Sequence, residues 1–102
     1  INSAKDPSFR SLTSEFRDII RKNNDEHIDG FAFTSLIGLI EYHEGKACTD
    51  DLLRWAKFHK HPQARLGALM SLISLGRLSE VEEILKSEEN SAVKDAVKKA
   101  LI

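Results

Sequence analysis

Four histidines and one cysteine are the side chains of this 102-residue chain best suited to holding a metal or attacking an electrophile. The closest spacings are His59-x-His61 and Glu41-x-His43-Glu44. A metal site needs three or four such groups converging in a fixed geometry, and neither stretch supplies that alone. At a helix end histidine is an ordinary partner of the helix dipole, and that is the role expected of His59 and His61. Cys48 lies near His43 and Lys46 in the sequence, and cations of that kind lower a thiol pKa. No base with an orienting partner accompanies it, so it reads as a small residue beside a helix start. Gly30, Gly38 and Gly67 do not form a phosphate loop and instead suit close approach of helices. The expectation is a non-enzyme without catalytic residue, cofactor or metal.

The charges say more. Arg54, Lys57, Lys60 and Arg65 occupy a segment without an acid, while Glu80, Glu82, Glu83, Glu88 and Glu89 crowd the next. Some of this is dipole chemistry, with Glu15, Asp51 and Glu80 at helix starts and Arg21, Lys57 and Lys86 near helix ends. The remainder is a solvated surface able to steer a partner. The net charge of −1 gives no global pull toward nucleic acid or an acidic membrane.

Helices must position these groups. Proline (2) and glycine (5) are scarce, and an apolar fraction of 41% suffices for one modest core over residues 1–102. Asp6-Pro7 predicts a cap and first turn, followed by Phe9, Leu12, Phe16, Ile19 and Ile20 at helical spacing and a stop at Asn23-Asn24. A second helix is predicted from Asp25 to Tyr42, closing at Gly45, and its nearly all-round apolar surface marks it as the most buried element. Thr49 is the expected cap of a third helix. Pro62 opens a fourth and Gly76 closes it. Ser79 and Glu82 read as a capping box for a fifth, and Asn90 or Ser91 starts a sixth. The fold class is therefore all-α, with about six helices. Phe31 to Ile40 is interrupted by Thr34, Ser35 and Gly38 and is half the length of a membrane span, so no membrane partner is expected.

The helices repeat. Shifting the sequence by 36 places residues 16–37 over 52–73, and shifting by 29 places 52–73 over 81–102, both without a gap. Phe16, Leu52 and Val81 coincide, as do Ile19, Trp55 and Ile84, and Ile20, Ala56 and Leu85. Beyond the turn, Ile28, Ala64 and Val93 coincide, then Ala32, Ala68 and Val97, then Leu36, Leu72 and Leu101, and finally Ile37, Ile73 and Ile102. Each unit reads as helix, turn, helix, with longer links at 38–51 and 74–80. A lone amphipathic hairpin cannot bury its apolar face, whereas stacked hairpins can, so stacked antiparallel helix pairs are expected. Trp55 shares a column with Ile19 and Ile84, which predicts a core role.

His61-Pro62-Gln63-Ala64-Arg65-Leu66-Gly67-Ala68-Leu69, continued by Leu72 and Leu75-Gly76, resembles a HEAT repeat, in particular the short HEAT-like repeats typified by phycobilisome lyases. Asn90 to Val97 is similar with Lys94 in place of the arginine, whereas the first unit carries Asp29 there. The resemblance covers about residues 16–102 and implies an α-solenoid architecture rather than one activity. Some HEAT-like hydroxylases hold two irons through recurring His-Glu pairs. His43-Glu44 is the single such pair here and falls in a link between units, so no iron site is implied.

The expected function is a protein–protein interaction or scaffold module without catalysis of its own. By analogy with the family, the first helix of each unit lines a concave side. Arg21, Arg54, Lys57 and Lys60 on its outer face are the candidate partner-binding residues, the last three set three apart on one helix. They would meet an acidic surface on another protein. The alternative is a nucleic-acid-binding domain gripping phosphates through the same row, which the glutamates of the fifth helix disfavour. The lone cysteine and polar N-terminal residues point to the cytoplasm. The start at Ile1, and a last unit expected to leave Val97, Leu101 and Ile102 half covered, predict a piece of a longer protein.

Overall fold

The computed structural model of the chain describes residues 7–22 and 30–102. The helices are α1 (Pro7–Lys22), α2 (Gly30–Glu44), α3 (Thr49–Phe58), α4 (Pro62–Ser74), α5 (Leu78–Leu85) and α6 (Ser91–Leu101), with a 3-10 turn at Gly45–Cys48 between α2 and α3. No strand occurs among the described residues, in agreement with the all-α expectation. The expected cap at Asp6, the stop at Asn23-Asn24, the helix start at Asp25 and the repeat position Ile28 lie outside the described residues.

The helix ends show which local signals decide the fold. Pro62 stands at the first position of α4, where its missing N–H costs nothing, and the ring of His61 caps that helix by accepting the Gln63 N–H at 3.1 Å. At its other end Gly76 adopts φ 79°, and Gly76 N–H to Ile73 C=O with Arg77 N–H to Leu72 C=O completes a Schellman cap. Asn90 caps α6 by accepting the Val93 N–H at 3.0 Å. Two expected caps are corrected. Thr49 lies inside α3, because the 3-10 turn delivers a chain that is already helical and the hydroxyl donates back to the Lys46 carbonyl at 2.7 Å. Ser79 also lies inside its helix; α5 begins at Leu78, and Arg77 reaches forward to Glu80 instead.

α4, not α2, is the most buried helix, with Ala64, Gly67, Ala68, Leu69, Ser71 and Leu72 out of solvent. It lies against α2, α3, α5 and α6, whereas α2 lies against α1, α4 and the 3-10 turn and leaves Leu39 and Tyr42 42% and 81% exposed. Gly67 permits this packing: a Cβ there would come within 3.2 Å of the Thr34 Cα on α2. Gly38, assigned the same purpose from the sequence, has open space around it. Residues 38–51, expected as a variable link, are helical nearly throughout.

Of the repeat columns, Leu52 and Val81, Trp55 and Ile84, Ile20 and Ala56, Ala64 and Val93, and Ala68 and Val97 are buried, with Phe16, Leu85 and Leu101 half buried against them. Ile19 departs, being 44% exposed. Val97, expected to be half covered, is fully buried, and Ile102 is open to solvent.

The Cα envelope measures 42 × 31 × 17 Å. α4 packs against both α2 and α6. α1 and α3 pair with α2 and α4, while α5 and α6 both lean on α4 and touch each other sparsely. Contacts of α3 with α1 and with α5 are sparse. Small residues let α2 and α4 close up, whereas the bulky side chains of Arg17, Trp55 and Phe58 stand on the α1–α3 side.

Candidate interaction surface

The splay of α1 from α3 opens a cleft of about 430 Å³ lined by Ser14, Arg17, Asp18, Arg21, Asp51, Arg54, Trp55, Phe58 and His59. Trp55 lies at its floor, 7% exposed, and Phe58, one turn later, is 76% exposed. Aromatic groups so placed give a partner apolar area at little entropic cost. Arg17 is fixed. Its two terminal nitrogens donate to both oxygens of Glu44 at 2.5 Å, and its Nε donates to Asp51 at 2.7 Å. This fork raises the Arg17 pKa and, chiefly through the Arg17 hydrogen bonds, holds the Glu44 carboxyl below its usual range. Asp51 also accepts from Arg54, whose side chain is otherwise exposed. Arg21 pairs with Asp18 on the exposed side of α1.

His59 closes the inner end of the cleft. Its Nε2 donates to the Ile20 carbonyl at 2.6 Å, and its Nδ1 accepts the His61 N–H at 3.0 Å. Those two partners fix the neutral tautomer with the proton on Nε2. Burial pushes its pKa below the usual histidine value, reinforced by the nearby His61 and Arg65. Both ring nitrogens are thus engaged, Nε2 joining α1 to the α3–α4 turn and Nδ1 bracing the turn itself.

A second cleft of about 270 Å³, between α3 and the end of α5, is lined by residues including Lys57, Phe58, Arg65, Ser87, Glu88 and Glu89. Arg65 donates from Nε and one terminal nitrogen to both oxygens of Glu88, at 2.9 and 3.1 Å. Its other terminal nitrogen donates to the His59 and Lys60 carbonyls. Burial raises the Glu88 pKa, but the Arg65 hydrogen bond and the Asn90 N–H outweigh it and leave the carboxyl below its usual range.

The candidate cations do not share one face. Arg21 and Arg54 line the first cleft from α1 and α3. Lys57 lines the second, near Glu80, whose pKa is lowered first by the Arg77 hydrogen bond and further by the charge of Lys57. Lys60 lies beyond the end of α3, because the backbone turns extended at His59, so it is off the helix that was to carry it. Arg65 is a partly buried link to Glu88 rather than part of a basic surface. Cys48 is a small buried residue beside the start of α3, as its sequence context suggests, and burial, followed by the charge of Glu44, pushes its thiol up to about 11. Among the described residues no three His, Cys, Asp or Glu groups gather as a metal site, and no helix is long and apolar enough to cross a membrane.

Phe58 was missed in the sequence, although a signal existed. The repeat places Lys22 and Ser87 at its equivalents, so it is an aromatic residue at a position otherwise polar. Arg17 gave no such signal, since its partner Asp51 is 34 residues away. Compared with known families, curated proteins and solved structures, the chain matches none.

Proposed function

We propose that this chain is a HEAT-like, intracellular protein-interaction module that takes an acidic, aromatic- or aliphatic-bearing segment of another protein in the α1–α3 cleft. The observation that carries this reading is the exposed ring of Phe58 beside Arg21 and Arg54, over a floor formed by Trp55. Phe58 would supply buried apolar area on binding, and the two arginines would steer carboxylates toward it. Arg17, pinned by Glu44 and Asp51, would shape the cleft rather than bind.

The test is selection from a displayed peptide library followed by binding kinetics. Selected peptides should pair carboxylates with a bulky apolar residue and should lose most of their affinity to Phe58→Ala. Arg21→Glu with Arg54→Glu should slow association and flatten its dependence on salt. Peptides indifferent to Phe58→Ala would sink the reading. Tight, steeply salt-dependent binding to a nonspecific duplex would favour a nucleic-acid ligand instead.

A further inference from the structure

The α1–α3 cleft does not end at Phe58. Phe58 and His59 line both this cleft and the second one, so the two meet over the C-terminal end of α3. Phe58 is the last residue of that helix, and the backbone turns extended at His59, which leaves the Phe58 ring standing between the clefts at 76% exposure. Consecutive residues of α3 supply apolar floor on either side. Trp55 lies under the first cleft, whereas Ala56, joined by Ile84 of α5, lies under the second. A segment seated on Phe58 therefore has apolar surface to follow in both directions.

The charge changes sign along that path. In the first cleft three arginines face two aspartates. In the second, Arg65 is held by both oxygens of Glu88, and Lys57 is offset by Glu80, which it stabilises after the Arg77 hydrogen bond. Glu89 remains: it lines the second cleft, is exposed, and has no ion-pair partner among the described residues. Two helices also finish at this cleft, α3 at Phe58 and α5 at Leu85, and the negative end of a helix dipole favours a cation. On a larger scale, α1 carries four basic and two acidic residues, whereas residues 78–90 carry five acidic and one basic.

We propose that the segment bound in the α1–α3 cleft continues over Phe58 into the α3–α5 cleft and places a lysine or arginine against Glu89. This rests on the acidic, apolar-bearing occupant proposed for the first cleft, and it adds an order of charges. Carboxylates lie at Arg21 and Arg54, a bulky apolar residue on Phe58, and a cation at Glu89. Opposite charges at the two ends fix the direction of the bound chain, because a reversed segment would set like charges together at both ends.

Displayed random peptides selected on the wild-type chain, and lost on Phe58→Ala, are the probes. Each should carry a basic residue on the side of its apolar anchor away from its carboxylates. Glu89→Lys should weaken their binding roughly threefold to tenfold while leaving the far-UV circular dichroism unchanged, because Glu89 is exposed. A peptide whose basic residue is changed to glutamate should bind Glu89→Lys better than the wild-type chain. Asp95→Lys, the same charge change on α6 outside both clefts, should leave affinity unaltered. Phe58-dependent peptides that lack a basic residue, or that are indifferent to Glu89→Lys, overturn the crossing and leave the reading of the first cleft standing. Peptides indifferent to Phe58→Ala sink both.

Discussion

Two arginines each bind a carboxylate with a bidentate fork and each join separate elements, yet they stand in different surroundings. Arg17 ties α1 to the end of α2 and the start of α3, with side-chain exposures of 26% for itself, 18% for Glu44 and 22% for Asp51. Arg65 ties the start of α4 to the α5–α6 link, and its partner Glu88 retains only 3% exposure. The Arg17 cluster has a spare acid and lies at the edge of a cleft. Arg65 has one carboxylate and two backbone carbonyls, with little water to replace any of them. Geometry alone does not rank the two; burial and redundancy do.

Removing Glu88 should give the largest effect. Glu88→Ala leaves the partly buried Arg65 charge without its counter-ion and frees the Asn90 N–H, at a cost of about 2 to 4 kcal/mol in denaturant unfolding. Replacing both partners by apolar residues should recover only part of this, since the His59 and Lys60 carbonyls lose their donor. A loss below about 1 kcal/mol for Glu88→Ala would erase the distinction between the two clusters.

Acid should reveal the next effect. His59 has a folded pKa below 6.5, so as pH falls below about 6.5 the unfolded chain takes up a proton that the native one refuses. Stability is then lost on acidification with a slope of up to about 1.4 kcal/mol per pH unit, until the folded pKa is passed. Glu44 and Glu88 are also depressed, so their contributions are present above about pH 4.5 and are lost as pH falls through their folded values. Unfolding followed between pH 7 and 4 should show the histidine step first, and His59→Gln should remove that step while leaving the carboxylate one.

Glu44→Gln should cost about 1 kcal/mol, because Arg17 keeps Asp51 and water is close. Arg54→Ala should leave the unfolding midpoint within experimental scatter, since its side chain is 64% exposed and Asp51 retains Arg17. An Arg54 effect as large as that of Glu44 would show that the Arg17 cluster depends on all its members.

What could be read in the sequence was the chemistry that acts within a few residues. Pro62, Gly76 and Asn90 mark helix ends because ring, φ and side-chain oxygen act on the adjacent backbone. Thr49 and Ser79 failed because the same residue types serve inside a helix when the chain arrives already coiled or another group starts the turn. Periodicity marked the apolar stripe of α1 but not whether a neighbour covers it, which is why Ile19 and Trp55, one column, differ in exposure. At the cleft, Arg21 and Arg54 were legible as cations. Their convergence, the position of Lys60 and the grip on Arg17 depend on how α1 meets α3, which no local spacing encodes.

The lone thiol of Cys48 has a use that follows from its position. It lies fully buried in the 3-10 turn, its Sγ 3.2 Å from the Gly45 carbonyl, directly after Glu44 of the Arg17 cluster. A thiol-specific dye at neutral pH cannot react with it in the closed molecule, because it is both inaccessible and protonated. Each labelling event therefore records an excursion in which the turn between α2 and α3 opens. The chain carries its own stopwatch for that motion, readable without introducing a foreign probe.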